Sequence, residues 1–146
     1  LGDHTLPEGK LRYAGYVRAI EDAGLQADAR LQATPSGQTP EMVAVLQSLL
    51  TAEARIDAVF ASGDVLAMNA VLALNQLGRR VPEDIRVAGF DDIPLAAYFR
   101  PSLTTVRQPI AEVGVAIVNA LAAQLAGDPA PAAQLPTALI VRESSA

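Results

Sequence analysis

The amino-acid sequence predicts an α/β fold in which a mostly parallel sheet is flanked by helices, giving three layers. Short apolar runs with the length of strands recur along the 146 residues, and stretches of ten or more residues with helical periodicity separate them. Strands that alternate with such helices form β-α-β units, whose strands run parallel. The length fits one compact domain, and 51% hydrophobic with 18% charged residues is an ordinary globular composition.

The first predicted element is a helix over residues 8–23, which Gly24 ends. Its apolar face has helical spacing and consists of Tyr13, Tyr16, Val17 and Ile20. Apolar and polar residues then alternate over 29–33, a pattern that predicts a short, half-buried strand. Residues 34–38 have the turn chemistry of a loop.

A second helix is predicted to begin with Thr39 as a hydroxyl cap, followed by Pro40 and Glu41, both of which suit a first helical turn. Its apolar face is Met42, Val43, Leu46, Leu49 and Leu50.

Predicted strands and helices alternate along the remaining chain. Strands are predicted over 56–61, 85–90, 103–107 and 137–141. Asp64 is predicted to cap a helix that runs through Leu77 and is closed by Gly78, and Pro109 to begin a long helix that ends at Gly127. Residues 128–136, rich in proline and alanine, form a predicted linker.

Composition excludes several function classes. A net charge of −5 argues against direct nucleic-acid binding by these residues, because such binding needs Lys and Arg to displace counterions. There is no cysteine, and His4, the only histidine, cannot form a histidine cluster, so neither a metal nor a cofactor is expected. No apolar run reaches the ~18 residues of a membrane span, so no membrane partner is expected. Because the first residue is leucine and not methionine, we expect the sequence to be either a fragment of a longer protein or the product of processing.

The candidate site lies where parallel sheets bind ligands, at the carboxyl ends of the strands. After the strand over 56–61, Ser62 offers a hydroxyl, Gly63 allows close approach to the backbone, and Asp64 offers a carboxylate. For Asp64 alone, the simpler interpretation is a helix N-cap.

After the strand over 85–90, Asp91 and Asp92 are adjacent carboxylates that could accept hydrogen bonds from sugar hydroxyls or amines. Asp92 alone fits a solvated turn better, and Phe90 fits the core better than a stacking surface. Arg12 faces away from the apolar face of its helix, so exposure to solvent is its ordinary interpretation. Near the strand ends, however, its planar donors would suit vicinal hydroxyls or a carboxylate.

Catalytic motifs are missing from the sequence. It contains no G-x-S-x-G elbow, no phosphate-binding loop and no G-x-G-x-x-G. Nothing in the pattern activates a nucleophile, so an enzyme is not expected.

Residues 80–94, RVPEDIRVAGFDDIP, resemble the lactose-repressor/galactose-repressor (LacI/GalR) family of bacterial transcription regulators. Further matches flank this segment in order and are LRYAGY at 11–16, DAVFASGD at 57–64, PSLTTVRQP at 101–109 and LPTALIVRES at 135–144. The resemblance therefore runs over essentially the whole chain.

In that family a helix-turn-helix and a hinge precede a two-lobed, periplasmic-binding-protein-like sensor, and a small effector binds between the lobes. The resemblance implies that residues 1–107 form the carboxy-terminal lobe, 108–127 a crossover helix belonging to an amino-terminal lobe that is mostly absent here, and 128–146 a linker and closing strand. It also implies a cytoplasmic homodimer that binds a sugar or nucleoside-like effector. Such a protein would contact operator DNA only through the helix-turn-helix.

By position, Arg12 matches the arginine that clamps the effector in this family, Asp91 the acidic effector contact, and Asp64 the acid of an Asn-Asp pair. Two departures bear on the effector. Gly63 stands where asparagine is common, and the loop over 34–39 has no aromatic residue where relatives often place one against a sugar. Both leave the identity of the ligand open.

The alternative function is a periplasmic sugar-binding protein of an ABC transporter, which has the same fold. The segments over 81–85 and 103–109 favour the regulator. One further expectation concerns the long helix, whose apolar stripe should be buried against the same lobe or a second copy; the stripe is Ile110, Val113, Ile117, Leu121 and Leu125.

Overall fold

A computed structural model describes residues 1–3, 5–36, 38–53 and 55–146. In these ranges helices and strands alternate in the order α1 (Pro7–Asp22), α2 (Thr39–Ala52), β1 (Ala58–Phe60), α3 (Asp64–Gln76), β2 (Arg86–Asp91), β3 (Thr104–Arg107), α4 (Ile110–Ala126) and β4 (Ala138–Ile140). The strands form one sheet in the order β1-β2-β3-β4, parallel except that β4 runs antiparallel to β3. The predicted fold class is confirmed.

The hydrophobic core lies between the sheet and the helices α2 and α3. Both helices contribute fully buried side chains, among them Met42, Leu46 and Leu74, which pack with Val87 of β2 and Leu103 just before β3. The predicted apolar face of α2 is confirmed.

Register aligns the carboxyl ends of β2 and β3, whereas β1 ends three residues before the end of β2. Phe60 pairs with Ala88, and Asp91 pairs with Arg107. The residues that follow each strand therefore emerge at one edge of the sheet, as the sequence predicts.

Two local expectations were wrong. Ala29–Leu31 is a 3-10 helix instead of a strand, because the Asp28 carboxylate accepts the Arg30 amide at 2.8 Å and holds a turn. Thr39 is the first helical residue of α2 and not its cap, which is Gln38. His4 lies outside the described ranges, and so does Gly37 of the predicted loop over 34–38.

The helix α4 is closed after Ala126 by Gly127, which has the left-handed conformation (φ 83°) and stands where the sequence predicts the end of the helix, but none of the residues of α4 is buried. Most of its apolar stripe is more than half exposed, namely Ile110, Ile117, Leu121 and Leu125. Residues 131–137 lie near it, and the two segments line a cavity of about 340 Å³. Among the described residues no helix is long and apolar enough to cross a membrane.

Candidate ligand-binding site

Arg12 reaches from α1 to the carboxyl end of β1. Its Nη1 donates a hydrogen bond of 2.5 Å to the backbone oxygen of Ser62. Its guanidinium lies over the ring of Phe90, 4.1 Å from the ring centroid, a cation–π arrangement. Only 22% of the Arg12 side chain is exposed. The guanidinium is therefore positioned by these contacts and is not freely solvated. Phe90, expected in the core, lies outside the core cluster and supports this guanidinium.

Asp91 faces Arg12 across the strand ends. Its Oδ1 lies 3.7 Å from Nη2 of Arg12 and accepts a hydrogen bond of 2.7 Å from Nε2 of Gln108. The side chain is still 37% exposed, so the carboxylate remains accessible to a ligand. Asp91 has φ 119° and the next residue, Asp92, has φ 54°. Positive φ is uncommon for residues other than glycine, costs roughly 1–3 kcal/mol and concentrates at functional sites.

Asp92 is not the solvated turn residue that its neighbourhood in sequence suggests. Its side chain is 6% exposed and accepts hydrogen bonds from Arg107 Nε at 2.5 Å and Arg142 Nη2 at 2.7 Å. Burial opposes ionisation of this carboxyl, but the two arginines outweigh burial and lower its pKa. Asp92 therefore anchors the turn after β2 to β3 and to the chain's last segment.

Asp64 lies beneath the site with its carboxylate already engaged. Oδ1 accepts a hydrogen bond of 2.5 Å from the Thr105 hydroxyl, and Oδ2 accepts the backbone amide of Ile93 at 2.9 Å. It is the first residue of α3, whose N-cap is Gly63, and no side-chain cap bond is present, so the N-cap expectation was wrong. Burial raises the pKa of Asp64 above its ordinary value, although the two hydrogen bonds oppose the shift. Contact with a ligand stays a prediction for Asp64, and its geometry favours supporting the loop that carries Asp91.

Ser62 and Gly63 form the wall next to Asp91. The Ser62 backbone oxygen holds Arg12, as described above. A Cβ placed on Gly63 would lie 3.6 Å from Asp91 Oδ2, an ordinary contact. Packing therefore does not require glycine here, and its missing side chain leaves space beside the carboxylate.

The structure thus brings Arg12, Ser62, Gly63 and Asp91 together and places Asp64 below them. Sequence reasoning missed Gln108, which follows β3 directly and holds Asp91. Ligands of parallel sheets bind at the carboxyl ends of the strands, and this applies to the loop after β3 as it does to those after β1 and β2. Gln108 could therefore have been predicted. The roles of Arg107 and Arg142 had no local signal, because Arg142 is 50 residues away from Asp92 in sequence.

The arrangement can bind a polar ligand. A planar guanidinium supplies several donors and an exposed carboxylate supplies acceptors, which together match neighbouring hydroxyl groups of a polar ligand. Within the described residues there is no group of three or more His, Cys, Asp or Glu side chains able to hold a metal ion.

Comparison with known proteins gives the family. Residues 1–145 match the family described as periplasmic binding protein-like domain. The ribose operon repressor of Halalkalibacterium halodurans is 36% identical over 136 residues, which are 92% of this chain and 40% of the relative.

Two solved structures have the same fold. The transcriptional regulator CelR in complex with cellobiose has a TM-score of 0.88 and 34% identity, over 99% of this chain and 45% of that one. A sugar-binding LacI-family regulator from Escherichia coli in complex with phosphate has a TM-score of 0.86 and 33% identity, over 98% of this chain and 52% of that one. The chain thus spans two fifths to about half the length of these relatives. It belongs to the periplasmic binding protein-like domain family, in the form that LacI-family transcription regulators contain.

Proposed function

We propose that this chain is the effector-sensing part of a bacterial LacI-type transcription regulator. In this proposal a small polar ligand, a sugar or a related molecule, binds to Arg12 and Asp91 and changes DNA binding by a helix-turn-helix elsewhere in the protein. The observation that carries the proposal is the pairing of an anchored guanidinium with an accessible carboxylate at the ends of β1 and β2.

The geometry supports a ligand with adjacent hydroxyl groups. Arg12 is positioned by Ser62 and Phe90, and Asp91 by Gln108, before any ligand arrives. Prior positioning reduces the side-chain entropy lost on binding. The similarity to a regulator solved with cellobiose supports a sugar as the first class to test.

Similarity also favours a regulator over a transporter's sugar-binding protein, because relatives that match over nine tenths of this chain, among them the ribose operon repressor and CelR, are transcription regulators. We extend the proposal to a cytoplasmic homodimer without catalytic activity. Since the chain's net charge is −5, operator binding is assigned to other residues of the protein.

The proposed organisation follows the same reasoning. Residues 1–107 form one lobe, 108–127 cross to an amino-terminal lobe, and 128–146 return as linker and closing strand. The exposure of α4 and the pairing of β4 with β3 are consistent with this division.

Calorimetry on the full-length protein tests the site. Mono- and disaccharides, cellobiose among them, and nucleosides are first screened by thermal shift, since a ligand that binds the folded state raises the Tm. Arg12→Ala and Asp91→Asn are then expected to weaken binding by about 1.5–3 kcal/mol, the range for a hydrogen bond to a charged group.

Matched controls come from α1 itself. Arg18 and Asp22 form an exposed pair at 3.6 Å on the same helix as Arg12. Arg18→Ala and Asp22→Asn are expected to leave affinity unchanged. Wild-type affinity in both site variants, with the fold intact, would remove the assignment of Arg12 and Asp91.

A further inference from the structure

Gly63, in the wall of the candidate site, is a glycine that neither the backbone nor the packing requires. Its backbone is extended, with φ −168° and ψ 153°, a conformation that any residue adopts. Apart from its neighbours in the chain, a Cβ at this position would meet only Asp91 Oδ2 within 4 Å among the described residues, at 3.6 Å. A larger side chain would therefore fit at position 63.

Helix capping would also favour another residue here. Gly63 is the N-cap of α3, and no side-chain cap hydrogen bond is present. Serine, threonine, asparagine and aspartate are preferred at N-caps, because their side-chain oxygens accept a free amide of the first helical turn. Binding sites commonly give up stability for function, and Gly63 fits that pattern.

The two carboxylate oxygens of Asp91, which face this space, are unequally engaged. Oδ1 accepts a hydrogen bond of 2.7 Å from Gln108 Nε2 and also faces the guanidinium of Arg12. Oδ2 accepts no hydrogen bond from the residues that the structure describes, and 37% of the side chain is exposed. Oδ2 is therefore the acceptor that a ligand can use, and it lies beside the space that Gly63 leaves.

Arg12 supplies a donor close to the same space. Its Nη1 is bonded to the Ser62 backbone oxygen, and its guanidinium lies over Phe90, so the group is held in place. Its Nη2 lies 3.7 Å from Asp91 Oδ1, beyond the range of a good hydrogen bond. Arg12 and Asp91 thus do not satisfy each other, and two neighbouring polar groups of one ligand can bind to them together.

We propose that Gly63 is a specificity-determining residue and that the space beside Asp91 Oδ2 receives a hydroxymethyl group of a sugar. The group CH₂OH is chemically the side chain of serine, so its carbon fits where a Cβ at position 63 would fit. Its hydroxyl donates to Oδ2, and Arg12 donates to a neighbouring hydroxyl of the sugar. This inference rests on the proposed function and narrows its ligand class to sugars that carry a hydroxymethyl group.

Calorimetry on the full-length protein tests this class with two matched pairs of probes, D-glucose with D-xylose and cellobiose with xylobiose. The members of a pair have the same ring hydroxyl groups, and only the first member carries hydroxymethyl groups. The wild type is expected to bind the first member about tenfold more tightly, which is the scale of one hydrogen bond to a charged group.

Substitutions at position 63 provide the matched variants. Gly63→Ser builds a hydroxymethyl group into the protein, and Gly63→Ala adds the carbon alone. Both should reduce the preference to less than about threefold, by weakening the binding of glucose or cellobiose and leaving that of xylose or xylobiose nearly unchanged. Gly63→Ser should keep or raise the Tm of the free protein through its cap, so the change in preference does not reflect unfolding.

A wild type without preference in either pair would overturn the proposal, and so would variants that retain the preference or weaken both members of a pair equally. A wild type that binds none of the four sugars would overturn it as well. The proposed function has a separate test, because Arg12→Ala and Asp91→Asn should weaken the binding of whichever ligand the wider screen finds, with or without this preference.

Discussion

Arg142 and Asp92, 50 residues apart in sequence, share a hydrogen bond of 2.7 Å that joins the chain's last segment to the turn after β2. Only 16% of the Arg142 side chain and 6% of the Asp92 side chain are exposed. Arg107 binds the other oxygen of the same carboxylate at 2.5 Å, but 56% of its side chain is exposed. The Asp92 carboxylate therefore has one largely buried partner, Arg142, and one exposed partner, Arg107.

This asymmetry predicts that replacing the two arginines lowers the stability of the protein by unequal amounts. Arg142→Met is expected to lower the free energy of unfolding by about 3 kcal/mol, because it leaves a buried carboxylate without a buried partner. Arg107→Met should cost less than about 1 kcal/mol, since exposed ion pairs contribute little. Urea unfolding of the two variants measures the difference. A loss from Arg107→Met as large as that from Arg142→Met would contradict the assignment.

Gly89 is expected to be intolerant of alanine. A Cβ at this position would collide with Oδ1 of Asp64 and lie 3.1 Å from a methyl carbon of Leu103. Gly89→Ala should therefore cost about 1–3 kcal/mol, the usual range for overpacking. Gly15→Ala is the control, because a Cβ there meets nothing within 4 Å and the residue lies inside α1. That variant should be stabilised by about 0.5–1 kcal/mol, and equal effects in urea unfolding would refute the prediction.

The amino group of Leu1 predicts a pH dependence in a chain that begins at this residue. Its pKa falls from 8.0 in the unfolded chain to about 6 in the folded one. Between these values the unfolded chain binds the proton and the folded chain does not, so stability rises as pH increases from about 6 to 8. The gain from this group should be about 2 kcal/mol.

Amino-terminal acetylation provides the matched control. It removes this titration and keeps all other groups, including His4, so the difference between the two pH profiles isolates the Leu1 amine. Identical slopes for the free and acetylated chains would show that the amine is solvated in the folded state.

The apolar stripe of α4 predicts self-association of the 1–146 chain. Each large aliphatic side chain left in water forgoes roughly 1.5–3 kcal/mol of burial, and Ile117 and Leu121 are more than half exposed. Light scattering at micromolar concentration is expected to show a dimer or a larger assembly. Ile117→Glu should shift it towards monomer, whereas Asn119→Glu, on the opposite side of the helix, should not. A monomeric wild type with unprotected α4 amides would contradict the prediction.

Periodicity predicted the helices and the parallel strands, because each has an apolar face that repeats over many residues. It failed at residues 29–33, where one side chain, Asp28, bonds to the backbone two residues later and makes a turn. The proximity of Ser62, Gly63 and Asp91 was predictable, because strand ends in a parallel sheet share one edge, and Arg12 reaches them from α1. The environments of Asp64 and Asp92 were missed, because their partners come from β3 and the chain terminus, which no local pattern links to them.

The two sides of the candidate site differ in how tightly they are packed. Asp91 is the last residue of β2, and two nearby carboxylates, Asp64 and Asp92, are largely buried and hydrogen-bonded, Asp64 to Ile93 and Asp92 to Arg107 and Arg142. Arg12 sits on α1, a helix in which only Gly9 is buried. A ligand that binds both side chains therefore links a well-packed strand to a loosely packed helix. On ligand binding we expect α1 to move while β2 stays in place. Ligands of different size should then change the tilt of one helix and leave the sheet as it is.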